Sequence, residues 1–138
     1  MKRRGILHPE LMRVIASLGH GETLVIADAG LPIPPEVVRI DLAFAANKPP
    51  FLEVVQAVLE ELKVEQAILA TEIQKTPPQT FHQALLEELK RLGQLADTAV
   101  HYLPHEEFKS RVKYARAVVR TGEFTPYANV ILHCGVVF

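Results

Sequence analysis

Short apolar runs along the chain alternate with longer segments in which apolar residues recur at helical spacing. The runs that we predict as strands are residues 23–27, 37–42, 66–70, 99–103, 117–120 and 129–134. The first run is β-branched and almost wholly apolar, which is typical of a strand covered on both faces. We therefore expect other elements to pack on both sides of it.

Helical spacing between these runs predicts four helices. They cover residues 9–18, 51–62 and 76–93, and a further helix begins at residue 104. In the first helix, apolar residues from Leu11 to Leu18 recur every three or four positions, and Gly19 follows as a stop. In the third helix, Thr76 is the predicted N-cap.

Strands that alternate with helices predict an α/β fold in which helices cover both faces of one sheet. We expect a single-domain α/β/α sandwich with a mostly parallel sheet over residues 1–138, because a chain of this length buries about two-thirds of its unfolded surface as one domain. The last residues, 135–138, are apolar to the end of the chain. We expect them to be buried either in the fold or against another subunit.

The charge balance argues against two classes of partner. With 15 basic and 16 acidic residues, the formal net charge is -1, which provides no basic surface for nucleic acid or anionic lipid. No apolar run approaches the ~20 residues that cross a bilayer. The basic start of the chain is interrupted at His8 and Pro9 before an apolar signal region develops, and the single Cys134 forms no internal disulfide. We therefore expect a cytoplasmic protein that binds neither nucleic acid nor membrane.

Titratable and hydrogen-bonding side chains are concentrated beside apolar runs at the two ends of the chain. Ligand groups in open α/β sheets lie at the carboxyl ends of strands or in adjacent turns, so we predict that the two ends form one site. The candidates are His20, Asp28, His105, Tyr127 and Asn129. Two imidazoles, a carboxylate and neutral hydrogen-bonding groups suit proton transfer on a polyhydroxylated neutral molecule. The chain contains no glycine-rich phosphate loop, so we expect no nucleotide cofactor.

Each candidate also has a purely structural interpretation. His20 follows a predicted helix, where the dipole favours a cation, and Asp28 precedes a turn that an aspartate commonly caps. His105 can be an exposed residue at a helix start, and Tyr127 can pack in the core with its hydroxyl at the surface. Asn129 is the least easily explained in this way, because asparagine is depleted in strands and must find hydrogen-bond partners there.

The spacing of the histidines argues against a metal site, and the apolar surroundings of the cysteine argue against cysteine catalysis. His101 and His105 lie four residues apart, but Pro104 interrupts the helix that would place them on one face. Cys134 lies within an apolar run, where a cysteine is commonly an inert packing residue. We therefore expect no metal site and no role for the thiol in catalysis.

Several motifs resemble those of the ribose pyranase and fucose mutarotase family. The most specific are residues 26–34 and 120–129, which read IADAGLPIP and RTGEFTPYAN. Other matching segments are residues 2–7, 18–20, 39–43, 105–109 and 117–119. The resemblance spans nearly the whole chain, fits the ribose pyranase branch better than the fucose branch, and is weakest over residues 71–93.

The resemblance implies roles for individual residues and an assembly. His20 corresponds to the proton donor of the family. The residues that correspond to sugar contacts are Asp28, His105, Tyr127, Ala128 through its backbone, and Asn129. The resemblance further implies a cofactor-free reaction, D-ribose as the bound molecule, and a ring-shaped homo-oligomer. This homo-oligomer is a decamer of two stacked pentamers, with sites completed across subunit boundaries.

The implied reaction is the interconversion of β-D-ribopyranose and β-D-ribofuranose, an intramolecular isomerisation that supports ribose utilisation. His20 would protonate the ring oxygen, and either Asp28 or His105 would deprotonate a sugar hydroxyl. Two alternatives stay open. One is an L-fucose mutarotase activity. The other is a non-catalytic ribose-binding or transport-associated module, which would bind ribose without changing the rate of anomer exchange.

Overall fold

The computed structural model describes residues 1–138 of the chain. Its α-helices are α1 (Pro9–Ser17), α2 (Phe51–Leu59), α3 (Gln79–Arg91) and α4 (His105–Val112). Its strands are β1 (Thr23–Ala27), β2 (Val38–Asp41), β3 (Val64–Ala70), β4 (Val100–Leu103), β5 (Ala117–Arg120) and β6 (Val130–Cys134). Short 3₁₀ turns lie before and after α3, at Thr71–Gln74 and Asp97–Ala99. None of the helices combines the length and the apolar character that crossing a membrane requires.

The six strands form one sheet in the order β2-β5-β1-β6-β3-β4. β2, β5 and β1 are parallel to one another, as are β3 and β4, whereas β6 is antiparallel to both of its neighbours, β1 and β3. Five strands therefore share one direction, which confirms the prediction of a mostly parallel sheet. Nothing in the hydrophobic pattern indicates the opposite direction of β6.

Apolar side chains on the two faces of the sheet form two separate cores. On β1, Leu24 and Ile26 face one core, Val25 and Ala27 face the other, and all four are fully buried. The larger core packs against α1, α2 and α3, and the smaller one packs against α4. This arrangement confirms the α/β/α sandwich and the prediction that the first strand is covered on both sides.

The smaller core combines α4 with the proline-containing loop that follows β1. Phe108 and Val112 of α4 are fully buried there, and Leu31 and Val37 anchor the two ends of the loop. Prolines between these anchors fix the backbone φ, which narrows the paths that the loop can take. The loop is thereby held against the end of β1, where Asp28 lies.

The start of α3 differs from the prediction. The sequence predicts Thr76 as the N-cap, but the helix begins at Gln79 with Pro78 in the N-cap position and no side-chain hydrogen bond. The prediction is wrong because an N-cap at Thr76 would make Pro77 the first helical residue, and a residue that precedes proline, as Pro77 precedes Pro78, avoids the helical region. The two prolines extend the chain before the helix begins.

The end of the chain is not buried in the fold. The backbone N of Gly135 donates to the carbonyl of Lys63 at 2.9 Å, and beyond it Val137 and Phe138 are 87% and 100% exposed. The expectation of burial within the subunit is therefore wrong, because the chain leaves the sheet after Cys134. Contact of this segment with another subunit stays a prediction.

We expect Phe108→Ala to lower the free energy of unfolding by about 3–5 kcal/mol, because it leaves a cavity in the smaller core. Tyr114→Ala is the control, since this ring is 75% exposed and its removal changes stability by less than about 0.5 kcal/mol. Urea denaturation followed by circular dichroism measures both effects. Equal effects of the two substitutions would contradict the packing of α4 against the sheet.

Candidate active site

Most of the predicted site residues lie at one edge of the sheet, the edge formed by the ends of β1 and β5 and the start of β6. The strand directions explain why they meet there. β1 and β5 end at this edge, and β6, which runs the other way, begins there. Since β5 and β6 lie on either side of β1, the segment that connects them, residues 121–129, crosses the end of β1. Asp28 follows β1 directly and therefore lies beside this crossing segment.

A cavity of about 560 Å³ opens at this edge. It is lined by residues 28–32, 105, 120 and 123–127, which include the predicted Asp28, His105 and Tyr127. Ala128 and Asn129 follow directly in the chain, are fully buried, and bring the Asn129 side chain into contact with Asp28. The structure thus brings together every predicted site residue except His20.

Asn129 holds Asp28 through two hydrogen bonds. Its Oδ1 accepts from the backbone N of Asp28 at 2.8 Å, and its Nδ2 donates to Asp28 Oδ2 at 3.0 Å. The other carboxylate oxygen of Asp28 accepts from the backbone N of Gly30 at 2.9 Å, as in an Asx turn. Asp28 therefore caps the turn, as its structural interpretation predicts, and the same carboxylate also lines the cavity.

Burial raises the pKa of Asp28 above its ordinary value of 3.8. Hydrogen bonds from Gly30, Asn129 and Leu31 and the charge of His105 favour the ionised form and offset part of this rise in pKa. A carboxylate with a raised pKa accepts a proton more readily than a fully solvated one. The cavity thereby contains a group suited to general-base catalysis.

His105 and Tyr127 contact each other at the cavity, with ring centroids 5.0 Å apart and ring planes at 85°. Phe108 stacks beside His105, with 6.3 Å between the centroids. The Nδ1 atom of His105 is buried and has no hydrogen-bond partner in the protein. The His105 residue lines the cavity, so its side chain can contact a ligand that enters there.

Tyr127 is held in a strained backbone conformation. Its φ is 63°, in the left-handed region that costs a residue with a side chain roughly 1–2 kcal/mol. The backbone N of Asn129 donates to the carbonyl of Tyr127 at 2.9 Å, which closes a tight turn around Ala128. Strain of this kind persists where the surroundings determine the conformation, and it is common at ligand sites. The turn sets the position of the Tyr127 ring against His105.

Glu123, which is not among the predicted site residues, organises the crossing segment. Its buried carboxylate accepts from the backbone N of Phe51 at 3.0 Å and from the N and Oγ1 of Thr125 at 3.3 and 2.9 Å. It thereby caps α2, whose own N-cap proline offers no side-chain acceptor. Gly122 precedes it, and any side chain at that position would collide with the backbone of Lys48.

Arg120 is a second cavity residue absent from the predicted site. Its Nε donates to the carbonyl of Ala29 at 3.0 Å, and its Nη1 donates to both carboxylate oxygens of Asp41, each at 3.1 Å. It thus ties the end of β5 to β2 and to the turn after β1. The signal that could have identified it is the placement of an arginine at the end of an otherwise apolar strand.

His20 does not lie at this cavity. It follows α1 and precedes β1, at the opposite end of that strand from Asp28. The strand between them alone spans about 16 Å, at roughly 3.3 Å per residue. The Nε2 atom of His20 instead lies 3.0 Å from Oε2 of Glu65 at the start of β3, and 59% of the side chain is exposed. Within one subunit, the two ends of the chain therefore meet at the cavity through Asp28 and residues 120–129, but His20 lies apart from it, contrary to the prediction.

The turn that carries His20 is well defined. Gly21 adopts a φ of 80°, which glycine tolerates without strain, and Glu22 accepts from the backbone N of Gly19 at 2.8 Å. A carboxylate only accepts hydrogen bonds, so the Nε2 atom of His20 carries the proton in its contact with Glu65. This contact leaves Nδ1 as the ring nitrogen available to another partner.

No group of three or more histidine, cysteine, aspartate or glutamate side chains is arranged to hold a metal ion. His101 lies on β4 and His105 begins α4, so the two do not share a helix face. Burial raises the pKa of the Cys134 thiol to about 11, and the charges of Glu22 and Glu65 add to this rise. The thiol is therefore protonated near neutral pH, the state in which cysteine is a poor nucleophile.

Comparison with known families matches residues 1–137 to the RbsD / FucU transport protein family. The chain belongs to this family. It is 51% identical to the D-ribose pyranase of Geobacillus thermodenitrificans over 138 residues, which is all of this chain and 99% of the relative. It is 49% identical to the D-ribose pyranase of Geobacillus kaustophilus, over all of this chain and 96% of the relative.

Two solved structures share the fold of this chain. The structure of Bacillus subtilis RbsD complexed with D-ribose has a TM-score of 0.86 and 45% identity, with all of both chains covered. The fucose mutarotase from Streptococcus pneumoniae in complex with L-fucose has a TM-score of 0.77 and 26% identity, over 96% of this chain and 95% of the other. The family membership and the fold that the motifs predict are thus confirmed.

We expect the Asp28 carboxyl to titrate above pH 3.8, because burial favours its neutral form. Asn129→Ala removes a hydrogen bond that stabilises the ionised form, so the midpoint moves further up. Carbon NMR of the side-chain carboxyl across a pH series measures both midpoints. Glu106 is an internal reference, since the hydrogen bond from Lys109 lowers its pKa below the ordinary 4.5. An Asp28 midpoint at or below 3.8 would contradict the environment described here.

Proposed function

We propose that the protein is a D-ribose pyranase, a single-domain intramolecular isomerase that interconverts β-D-ribopyranose and β-D-ribofuranose and so supports ribose utilisation. The observation that carries the proposal is that the His105 imidazole and the Asp28 carboxylate, whose pKa is raised by burial, line one cavity. The 51% identity to a D-ribose pyranase over the whole chain supports the reaction. The likeness to RbsD complexed with D-ribose supports ribose as the substrate.

The proposed roles divide the site into a proton donor and a sugar-binding group. His20 is the proton donor. The proposed sugar-binding residues are Asp28, His105, Tyr127, Ala128 through its backbone, and Asn129. The position of three of these residues in the cavity lining supports the assignment. The two hydrogen bonds between Asn129 and Asp28 support a shared role for that pair.

Ring opening requires one proton donor and one proton acceptor. His20, as an imidazolium, donates a proton to the ring oxygen O5 while Asp28 or His105 accepts the proton of the anomeric hydroxyl. The C1–O5 bond breaks, and the sugar becomes the open-chain aldehyde with a hydroxyl on C5. Because Glu65 holds the Nε2 proton of His20, the proton that moves is the one on Nδ1.

Ring closure uses the same groups in reverse. The hydroxyl on C4 attacks C1 and gives its proton to His20, while Asp28 or His105 returns its proton to the carbonyl oxygen. The furanose forms and both protein groups regain their starting states, so the reaction consumes no cofactor or co-reactant. Acid–base catalysis of this kind supplies about 10²–10⁴-fold in rate.

A second subunit is proposed to deliver His20 to the cavity, within a homo-oligomer that is a decamer of two stacked pentamers. The separation of His20 from Asp28 by about 16 Å of strand supports this arrangement, since proton transfer needs hydrogen-bond contact. Phe124 lines the cavity, and Phe44 lines an adjacent pocket together with it. The two rings are 66% and 81% exposed and offer apolar surface for a neighbouring subunit. The fully exposed Phe138 at the chain end offers more.

We propose a cytoplasmic location for this activity. Cys134 is the single cysteine and is unpaired, which suits a reducing compartment. The formal net charge of -1 offers no basic surface for nucleic acid or an anionic membrane. The proposed partners are therefore the sugar and further copies of the chain.

Two alternative functions each rest on one observation. An L-fucose mutarotase activity is favoured by the 26% identical structure in complex with L-fucose. A non-catalytic ribose-binding or transport-associated module is favoured by the description of the family as transport proteins. Both alternatives predict a different result from the same assay.

Saturation-transfer NMR on D-ribose tests the proposal. We expect exchange between the β-pyranose and β-furanose signals to be faster with the protein than without it. His20→Asn lowers the protein-dependent rate by about 10²-fold or more, because it removes the acid. His8→Asn is the matched control, since asparagine can replace the cap that His8 provides to α1, and this variant retains the rate.

Each other outcome has a definite meaning. Full exchange activity in His20→Asn would contradict the role of His20 as proton donor. Acceleration with L-fucose but not with D-ribose would indicate the mutarotase alternative. Stoichiometric binding of D-ribose without acceleration would indicate the non-catalytic module.

A further inference from the structure

We propose that Glu72 is a positioning residue of the site, which holds His105 in place for the sugar. Both carboxylate oxygens of Glu72 lie 3.1 Å from the backbone N of His105 and accept its hydrogen bond. Glu72 does not line the cavity, so it acts through His105 and does not touch the sugar. The inference rests on the proposed function, because it concerns the contact that His105 makes with the substrate.

The pairing of β3 with β4 explains why these two residues meet. Ala70 and Leu103 are partners at the end of this parallel ladder. Glu72 and His105 each lie two residues beyond those partners, so the two chains leave the sheet side by side. Ile73, which is fully buried, anchors the 3₁₀ turn that carries Glu72. Glu72 therefore lies on a turn that follows β3 directly and is anchored in the core.

Glu72 provides the cap that α4 lacks in its own sequence. His105 is the first residue of this helix, so its backbone N has no partner within the helix. The N-cap residue is Pro104, whose side chain cannot accept a hydrogen bond. Glu72 supplies the acceptor, and its negative charge lies where the helix dipole favours an anion. A helix of eight residues depends strongly on such contacts, since short helices are marginal on their own.

The ring of His105 is sensitive to the position of this first turn. It is packed against Tyr127 and Phe108, and its Nδ1 has no hydrogen bond in the protein to correct its direction. Movement of the first turn of α4 therefore moves the His105 ring relative to a sugar in the cavity. Misplacement of a positioning group by about 1 Å can lower catalytic efficiency by up to about 10²-fold.

Three variants distinguish a positioning role of Glu72 from a general effect of the substitution on the stability of the protein. Glu72→Ala removes the acceptor, whereas Glu72→Gln retains an oxygen that can accept the same hydrogen bond. Glu61→Ala is the matched control, because Glu61 also accepts from a backbone N, that of Ile6 at 2.8 Å, away from the cavity. Exchange measured over a range of D-ribose concentrations gives KM and kcat for each variant.

We expect Glu72→Ala to raise KM for D-ribose by about five- to tenfold while kcat changes by less than about threefold, because a sugar contact is loosened. Glu72→Gln retains a KM within about twofold of the unmodified protein, and Glu61→Ala leaves KM unchanged. If Glu72→Ala does not fold, Glu72→Asp, which withdraws the acceptor by one methylene, gives the same measurements. An equal rise in KM for Glu61→Ala would overturn the inference.

The ring-proton NMR signals of His105 report its position without any sugar. We expect them to shift or broaden in Glu72→Ala, because the ring changes its place beside Tyr127, and to stay unchanged in Glu61→Ala. Unchanged His105 signals in Glu72→Ala would overturn the inference. Failure of the proposed function gives a different result, namely no acceleration of ribose exchange by the unmodified protein.

Discussion

The direction of β6 determines where the candidate site lies. Because β6 enters the sheet antiparallel to β1 and β3, its first residue starts at the edge where β1 ends. Val130 is the partner of Ile26, so Asn129, one residue earlier, reaches Asp28. If β6 ran parallel to its neighbours, it would start at the other edge and this contact could not form. One strand direction thus joins the early and late parts of the chain at the cavity.

The same geometry places the proposed sugar-binding groups and the proposed proton donor at opposite edges of the sheet in one subunit. Asp28 lies at the end of β1, where the antiparallel β6 begins, and His20 lies before β1, at the edge where β6 ends. One edge carries the sugar-binding groups, and the other carries the proposed proton donor in its contact with Glu65. On the proposed function, the cavity of one subunit binds the sugar and a neighbouring subunit supplies the acid. Assembly is then a requirement of catalysis and not only of stability.

Most of the fold could be predicted because the apolar runs and the helical spacing in the sequence coincide with strands and helices of the structure. The continuous apolar run of β1 and the helical spacing of α1 depend only on nearby residues. Asp28 and Asn129 were also predictable, since a carboxylate after a buried strand and an asparagine beside a strand both need partners. The location of His20 could have been predicted too, because an extended strand between two residues places them at opposite edges of a sheet.

The residues that the sequence could not identify form hydrogen bonds with residues that are far away in the chain. Glu123 caps α2 from 72 positions away, and Glu72 caps α4 from 33 positions away. Each bond depends on which strands are neighbours and in what register they pair, and neither property is visible in local periodicity. Both carboxylates replace caps that prolines at the helix starts cannot provide.

The claim that each site combines His20 of one subunit with the Asp28 cavity of another is tested most directly by mixing two inactive variants. His20→Asn and Asp28→Asn chains are denatured, combined in equal amounts, refolded together and assayed for exchange of D-ribose anomers. Random pairing of subunits restores both intact groups in about a quarter of the sites, so about a quarter of the unmodified activity is predicted. Activity no higher than that of the two variants refolded separately would contradict the claim, because a site built within one chain cannot be restored by mixing.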